Sequence, residues 1–242
     1  MATQNIGNIK MKFGLTQPFS CSYLPEQKEQ LLVFTDTGEP DEQQYELLIG
    51  AGFRRSGEQI YRPHCSACHA CQAIRIPVSL FAPSKSQKRV LKRNQDLKMI
   101  VSESDGIDYY PLYEQYINQR HHDGSMYPAT MEQYQSFIKS RWASPLFIEF
   151  YLMEKLVAVA VTDQLPHSLS ALYTFFAPHL AERSIGTLAI LQQISLAARL
   201  KKQFLYLGYQ VDECKKMNYK VNFLPHERFF ANKWQLITNN TG

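Results

Sequence analysis

The second half of the chain carries the more regular alternation of apolar and polar positions. Ile107, Tyr110, Tyr113, Tyr116 and Ile117 recur at helical spacing and predict a helix that ends near Arg120. Thr130 with Gln133 three residues on is a capping-box signature, and Met131, Tyr134, Phe137 and Ile138 continue one apolar face behind it. The period then shortens. Residues 146–153 and 156–162 read as two strands joined by a tight turn at Glu154-Lys155, and 169–176 as a third. Residues 184–201 return to helical spacing on Ile185, Leu188, Leu191, Ile194 and Ala198, and 204–209 reads as a strand. The first hundred residues are less regular. They offer short strand-like runs at 31–34 and 73–78, a turn cluster at 35–40, and an apolar helix end at 47–53 whose helix starts near Asp41.

The later elements run helix, helix, strand, strand, strand, helix, strand. A strand–helix–strand step at the end implies a crossover into a parallel pair, whereas the preceding hairpin is antiparallel. That order matches acetyltransferase-like (GNAT) domains. The expected fold class is therefore α+β, with a GNAT-like mixed-sheet catalytic domain over 105–242. A smaller N-terminal α+β region containing the cysteines would precede it over 1–104. In such a domain two neighbouring parallel strands splay apart and leave a cleft. The turn before the long helix, here Arg183 to Gly186, presents backbone N–H groups to a phosphate or carbonyl.

Composition narrows the class. A chain of 242 residues with 45% apolar and 20% charged residues has material for a core and does not read as disordered. The longest clean apolar run, 156–161, falls far short of the roughly 20 residues of a membrane span. No signal-peptide pattern occupies residues 1–17, so a cytoplasmic location with no membrane partner is expected. The net charge of +4 is concentrated. Lys85, Lys88, Arg89, Lys92, Arg93 and Lys98 face the single acid Asp96, so the rest of the chain is slightly acidic.

Ser84 and Gln87 make a second capping box after Pro83. In the helix they start, Lys85, Lys88, Arg89, Lys92 and Arg93 all project on one side. Such a face is either merely solvated or a grip for a polyanion, which would relieve its self-repulsion by counterion release. Nothing in it reads bases, so a backbone hold on a folded RNA is the matching partner.

Other segments carry candidate chemistry. Of five cysteines, Cys65, Cys68 and Cys71 stand at two-residue spacing, with Cys21 distant. They suit zinc or an iron–sulfur cluster, or pack as small apolar residues; no second CxxC pair and no following Cys-Pro accompanies them. No metal and no cofactor is assigned. Arg120-His-His-Asp-Gly124 offers a base beside an orienting acid, or a simple polar helix end. Tyr173 and Tyr209, on strands expected to neighbour one another, can turn hydroxyls toward a cleft. Lys215, Lys216, Tyr219 and Lys220 follow the last parallel strand, where ligands of α/β folds commonly sit.

Together these segments resemble one family. The matching stretches are CSYLP at 21–25, YRPHC at 61–65, RIPV at 75–78, SKSQKRVLKRNQDL at 84–97, RHHDGSM at 120–126, ALYTFF at 171–176, RSIG at 183–186 and YLGYQVDECKKMNYK at 206–220. They are similar to the bacterial aspartate/glutamate leucyltransferases, relatives of the arginyl-tRNA–protein transferases. The resemblance implies transfer of leucine from leucyl-tRNA to proteins beginning with Asp or Glu, marking them for N-degron degradation. It implies tRNA binding by Lys85, Lys88, Arg89, Lys92 and Arg93, with Arg183, Gly186, Lys216 and Lys220. It leaves Arg62, Arg75 and Arg120 as candidates for the acceptor's carboxylate, since a guanidinium binds one in bidentate fashion. Asp123 or His121 would take the proton, with Tyr173 and Tyr209 at the ester. The paired cysteines of the eukaryotic relatives are not matched: Leu24 and His64 stand where partners would be.

Three alternatives remain open on the residues alone. An arginyl transferase of the same fold needs a carboxylate in the aminoacyl pocket, for which Asp163 and Glu213 are candidates. A CoA-dependent N-acetyltransferase needs the 183–186 turn but not the basic helix. A non-enzymatic RNA-binding or metal-sensing protein would rest on the cysteine loop.

Overall fold

The computed structural model describes residues 2–6, 9–36, 38–103, 108–124 and 126–239. The expected boundary between 104 and 105, and Ile107, lie outside them. The first elements are β1 (Ala2–Ile6), β2 (Ile9–Leu15), β3 (Phe19–Ser20), β4 (Lys28–Glu29), β5 (Leu31–Phe34), α1 (Glu42–Gly50), β6 (Arg54–Ser56), β7 (Gln59–Pro63) and β8 (Gln72–Pro77). Then come α2 (Lys85–Arg93), β9 (Leu97–Ser102), α3 (Tyr110–Arg120), α4 (Met131–Ile138), β10 (Pro145–Leu152), β11 (Lys155–Gln164) and β12 (Ser168–Phe176). The chain closes with α5 (Ile185–Arg199), β13 (Phe204–Gln210), β14 (His226–Phe230) and β15 (Lys233–Ile237). Each strand and helix expected from the apolar pattern is present within a few residues of its expected ends.

Local chemistry explains the starts of the helices. Asp41 and Gln44 close a capping box on α1, and Ser84 and Gln87 one on α2; the Thr130 hydroxyl accepts from Gln133 N at α4. These bonds satisfy N–H groups that have no partner within the first helical turn.

Two sheets result. The smaller has the order β1-β2-β5-β7-β6, and the larger β15-β14-β8-β13-β12-β11-β10-β9. The larger sheet is a mixed one, antiparallel except for β12 and β13. It draws strands from both sides of residue 104, because β8 pairs with β13 and β9 with β10.

Adjacent residues of β11 point to opposite faces and show what covers each. Thr162 accepts from Gln193 of α5, so α5 lies on one face. Asp163 meets Arg55 of β6 and Tyr45 of α1, so the smaller sheet is docked on the other. Tyr173 shares that second face, through its register with Val161, and packs there against Tyr113 of α3 and Phe137 of α4. The main core is the sandwich of α5, sheet and α3–α4, with Ile148, Ala160, Phe175 and Ile185 fully buried. A second core, around Phe13, Leu48 and Phe53, reaches Leu165 and Tyr206 of the large sheet.

The docking surface contains one buried ion pair. Arg55 Nε and Nη2 donate to the two oxygens of Asp163 at 2.7 and 2.5 Å, and the Tyr45 hydroxyl donates to Oδ2 at 2.9 Å. Arg55 and Asp163 are each 1% exposed. Their bidentate geometry supplies the hydrogen bonds that a desolvated pair requires.

Candidate active site

The parallel pairing of β12 with β13 lasts from Ser168/Phe204 to Ser170/Tyr206 and then ends. Beyond it β13 breaks register with β8 between Tyr206 and Tyr209, and Gly208 takes φ +75°. The strands therefore part at Leu207-Gly208, opening a cleft at their C-terminal ends. The smaller sheet closes its back. Phe53, Arg54 and Arg55 of that sheet line a small cavity at the split with Ser170, Ala171, Leu172, Tyr206 and Gly208.

Arg54 reaches the split itself. A Cβ on residue 208 would stand 2.8 Å from its Nη1, so this approach needs the glycine as well as its backbone conformation. Tyr23, Tyr61 and Tyr209 surround Arg54, and its guanidinium carbon lies 5.9 Å from the Tyr209 ring centre. Among the described residues no carboxylate pairs with it. Sequence reasoning missed this residue; the available signal was the Arg-Arg pair after Gly52-Phe53, in a strand too short to show a period.

Tyr209 is buried, and its hydroxyl lies 3.1 Å from the carbonyls of Gly52 and Tyr61, to which it donates. Its own carbonyl accepts from Lys220 Nζ at 2.5 Å. Lys220 is 6% exposed, and burial, then the nearby Arg54 charge, pulls its pKa down to about 7. Burial pushes Tyr23 up to about 12 and raises Tyr173 and Tyr209 well above the ordinary value. These phenols stay protonated near neutrality and are available as hydrogen-bond donors.

An aromatic cluster lies on the same face of the large sheet as Asp163. Tyr173 packs on Tyr113, Tyr116 and Phe137, and Tyr116 on Phe176. At the end of α3 the His121 ring contacts Tyr116 at 4.9 Å. Burial, then Lys216 and Arg120, lowers the His121 pKa, so its imidazole is neutral at pH 7. Asp123, a candidate orienting acid in the 120–124 run, accepts from Lys216 Nζ at 2.7 Å. That bond holds the Asp123 carboxyl below its usual range. Lys216 is thereby tied down on the rim of the cleft.

The remaining cations divide by role. On α2, Lys85, Lys88, Arg89 and Lys92 are exposed without a carboxylate partner among the described residues. The opposite side of α2 is anchored, with Gln87 donating to the Asn222 carbonyl at 3.0 Å. Arg93 donates to the Glu182 carbonyl at 2.6 Å, and Arg183 to the Arg93 carbonyl at 2.9 Å and to Asp96. These bonds fix the basic helix beside the turn that precedes α5 and Gly186.

Of the three arginines expected at the acceptor, Arg75 is ion-paired with Glu227 at 2.5 Å and lies 3.6 Å from the Phe204 ring centre. Arg62 donates to the Ala51 carbonyl at 2.9 Å over the Phe53 ring. Arg120 is exposed, over Phe176 at 5.3 Å. Asp163 is occupied by Arg55 and Tyr45, and Glu213 is exposed. Among the described residues no group of three or more His, Cys, Asp or Glu is placed to hold a metal ion. Burial raises the Cys65 thiol and pushes Cys71 up to about 12, which keeps both as thiols.

Comparison with known proteins shows the family. Residues 19–89 match the model of the arginine-tRNA-protein transferase N terminus, and 108–230 that of its C terminus. An aspartate/glutamate leucyltransferase of Pseudoalteromonas atlantica is 64% identical over 94% of this chain and 98% of that protein. Those of Aeromonas hydrophila (53% identical, 95% of this chain and 96% of that protein) and Vibrio cholerae (46%, 93% and 97%) are also similar. Among solved structures, the C-terminal domain of a putative lysylphosphatidylglycerol synthetase from Agrobacterium fabrum superposes with a TM-score of 0.50 at 13% identity. The match covers 79% of this chain and 61% of that one, and it speaks to fold alone. A cleft at a parallel split, flanked by an exposed basic helix, thus sits in a chain whose two halves match one family in order: the chain belongs to the arginine-tRNA-protein transferase family.

Proposed function

We infer that this enzyme moves leucine from the 3′ ester of leucyl-tRNA to the α-amine of proteins whose N-terminal residue is Asp or Glu, marking them for degradation. The observation that carries the reading is the near-full-length identity to leucyltransferases. The geometry supports leucine over arginine as donor. An arginyl side chain needs a carboxylate in its pocket, and Asp163 is already bonded by Arg55 and Tyr45. The aromatic side chains on the Asp163 face, Tyr116, Phe137 and Tyr173, suit an apolar side chain.

In this reading α2 grips the tRNA backbone through Lys85, Lys88, Arg89 and Lys92. The catalytic half is GNAT-like, with the charged tRNA end entering where β12 and β13 part. Holding ester and amine together accounts for much of the acceleration, because an aminoacyl ester is already activated. One proton must leave the acceptor ammonium. His121, neutral through burial, is the proton acceptor in preference to Asp123, whose carboxylate is bonded to Lys216. Protonated Tyr173 is the donor at hand for the developing oxyanion.

The test is to offer an Asp-initiated peptide together with labelled leucyl-tRNA, arginyl-tRNA or acetyl-CoA in separate reactions. Label should move from leucyl-tRNA only. Transfer from acetyl-CoA, or from arginyl-tRNA at the greater rate, refutes the proposal.

A further inference from the structure

Apart from the tRNA grip, the cleft holds a cationic group that no carboxylate neutralises among the described residues. The other arginines pointed into the body of the protein have an oxygen partner: Arg55 has Asp163, Arg75 has Glu227, Arg62 has the Ala51 carbonyl, and Arg228 has Asp212 at 2.8 and 3.0 Å. Arg54 has phenol rings and a glycine. Beside it stands a second base, Lys220, close enough for Arg54 to depress its protonation. An unpaired guanidinium in a half-closed site, with no acid beside it among the described residues, is costly unless an anion arrives. Ring faces such as that of Tyr209 offset part of this cost.

We propose that Arg54 is the residue that recognises the side-chain carboxylate of the acceptor's N-terminal Asp or Glu, at the point where β12 and β13 part. This rests on the transferase reading and adds to it the residue that makes the acceptor acidic. A carboxylate matches the planar guanidinium fork in bidentate fashion. The location also separates acceptor from donor grip. Arg54 belongs to the smaller sheet, on the Asp163 face of the large sheet, whereas α2 is bonded to Asn222 and packs with α5 on the opposite face. Gly208 leaves open the space into which the guanidinium extends. Tyr23 and Tyr61 place phenol hydroxyls near it, which suit the remaining carboxylate lone pairs.

The experiment measures binding of peptides beginning with Asp, Glu and Asn by calorimetry in the absence of tRNA, and leucine transfer to the same peptides, for the wild type, Arg54→Met and Arg54→Lys. The calorimetric arm reads Arg54 independently of the donor, so failure of leucine transfer by the wild type would count against the transferase reading alone. For Arg54→Met, affinity for Asp and Glu peptides should fall about 30-fold or more. Preference for Asp over Asn should collapse, and KM for leucyl-tRNA should not change. Arg54→Lys keeps the charge without the fork; should the methionine variant not fold, it decides. Its Asp-peptide affinity should fall about tenfold while preference over Asn survives. Wild-type Asp preference in Arg54→Met, or wild-type affinity in Arg54→Lys, overturns the assignment.

Discussion

Asp163→Ala should loosen the smaller sheet from the large one. The carboxylate removed is 1% exposed and accepts three hydrogen bonds, two from Arg55 and one from Tyr45. The substitution leaves the Arg55 guanidinium with only the weaker carbonyl bonds at Gly57 (3.2 Å) and Ile138 (3.5 Å). Removing one partner of a buried pair costs about 3–5 kcal/mol. Against a total of roughly 5–15 kcal/mol for a folded chain, that is a large share. At about 2–4 °C per kcal/mol for a chain of this size, the melting temperature should drop by roughly 6–20 °C. Replacing both partners, Arg55→Met with Asp163→Leu, should recover most of the loss, because neither charge is then left in the interior. Urea unfolding of the wild type, both single variants and the double variant measures the coupling directly. A loss below about 1 kcal/mol in Asp163→Ala, or additive losses in the double variant, would refute the account of this pair as a joint between the two sheets.

Three further outcomes follow from the same geometry. His226 is fully buried, and burial, then the Arg228 charge, lowers its pKa to about 4. Below about pH 6.5 the unfolded chain takes up that proton and the folded one does not, so stability should fall from there to about pH 4 by up to roughly 3 kcal/mol. His226→Gln should flatten that window in a pH series of melting curves; an unchanged slope would show the histidine is not the source. Lys88→Ala with Arg89→Ala should raise KM for leucyl-tRNA and reduce the slope of log KM against log salt by about one for each phosphate no longer neutralised. Unchanged KM at low and high salt would remove α2 from the tRNA path. His121→Ala should lower kcat at least about 100-fold, with acceptor KM little changed. Asp123→Ala should have the smaller effect, since it loses a bond to Lys216 on the rim. The reverse order in kcat would exchange their roles.

Much of this was legible in the chain because it is governed by neighbours close in sequence. The capping box at Ser84 acts over three residues, and the cationic face of α2 follows from helical geometry alone. The crossover through α5 forces β13 parallel to β12, so a split between them was foreseeable from element order. The site's cations were not. Arg75 and Arg62 looked as available as any, and only folding brings Glu227 to the first and the Ala51 carbonyl to the second. Asp163 could have served an arginyl pocket until Arg55, 108 positions away in sequence, took both its oxygens. Arg54 carried only the weak signal of its Arg-Arg pair, because its meaning lies in which partners folding brings to it. Propensity, capping and helical facing are local and can be read along a chain. Which charges are neutralised and which are left facing a cleft depends on contacts between distant segments, and only tertiary packing sets those.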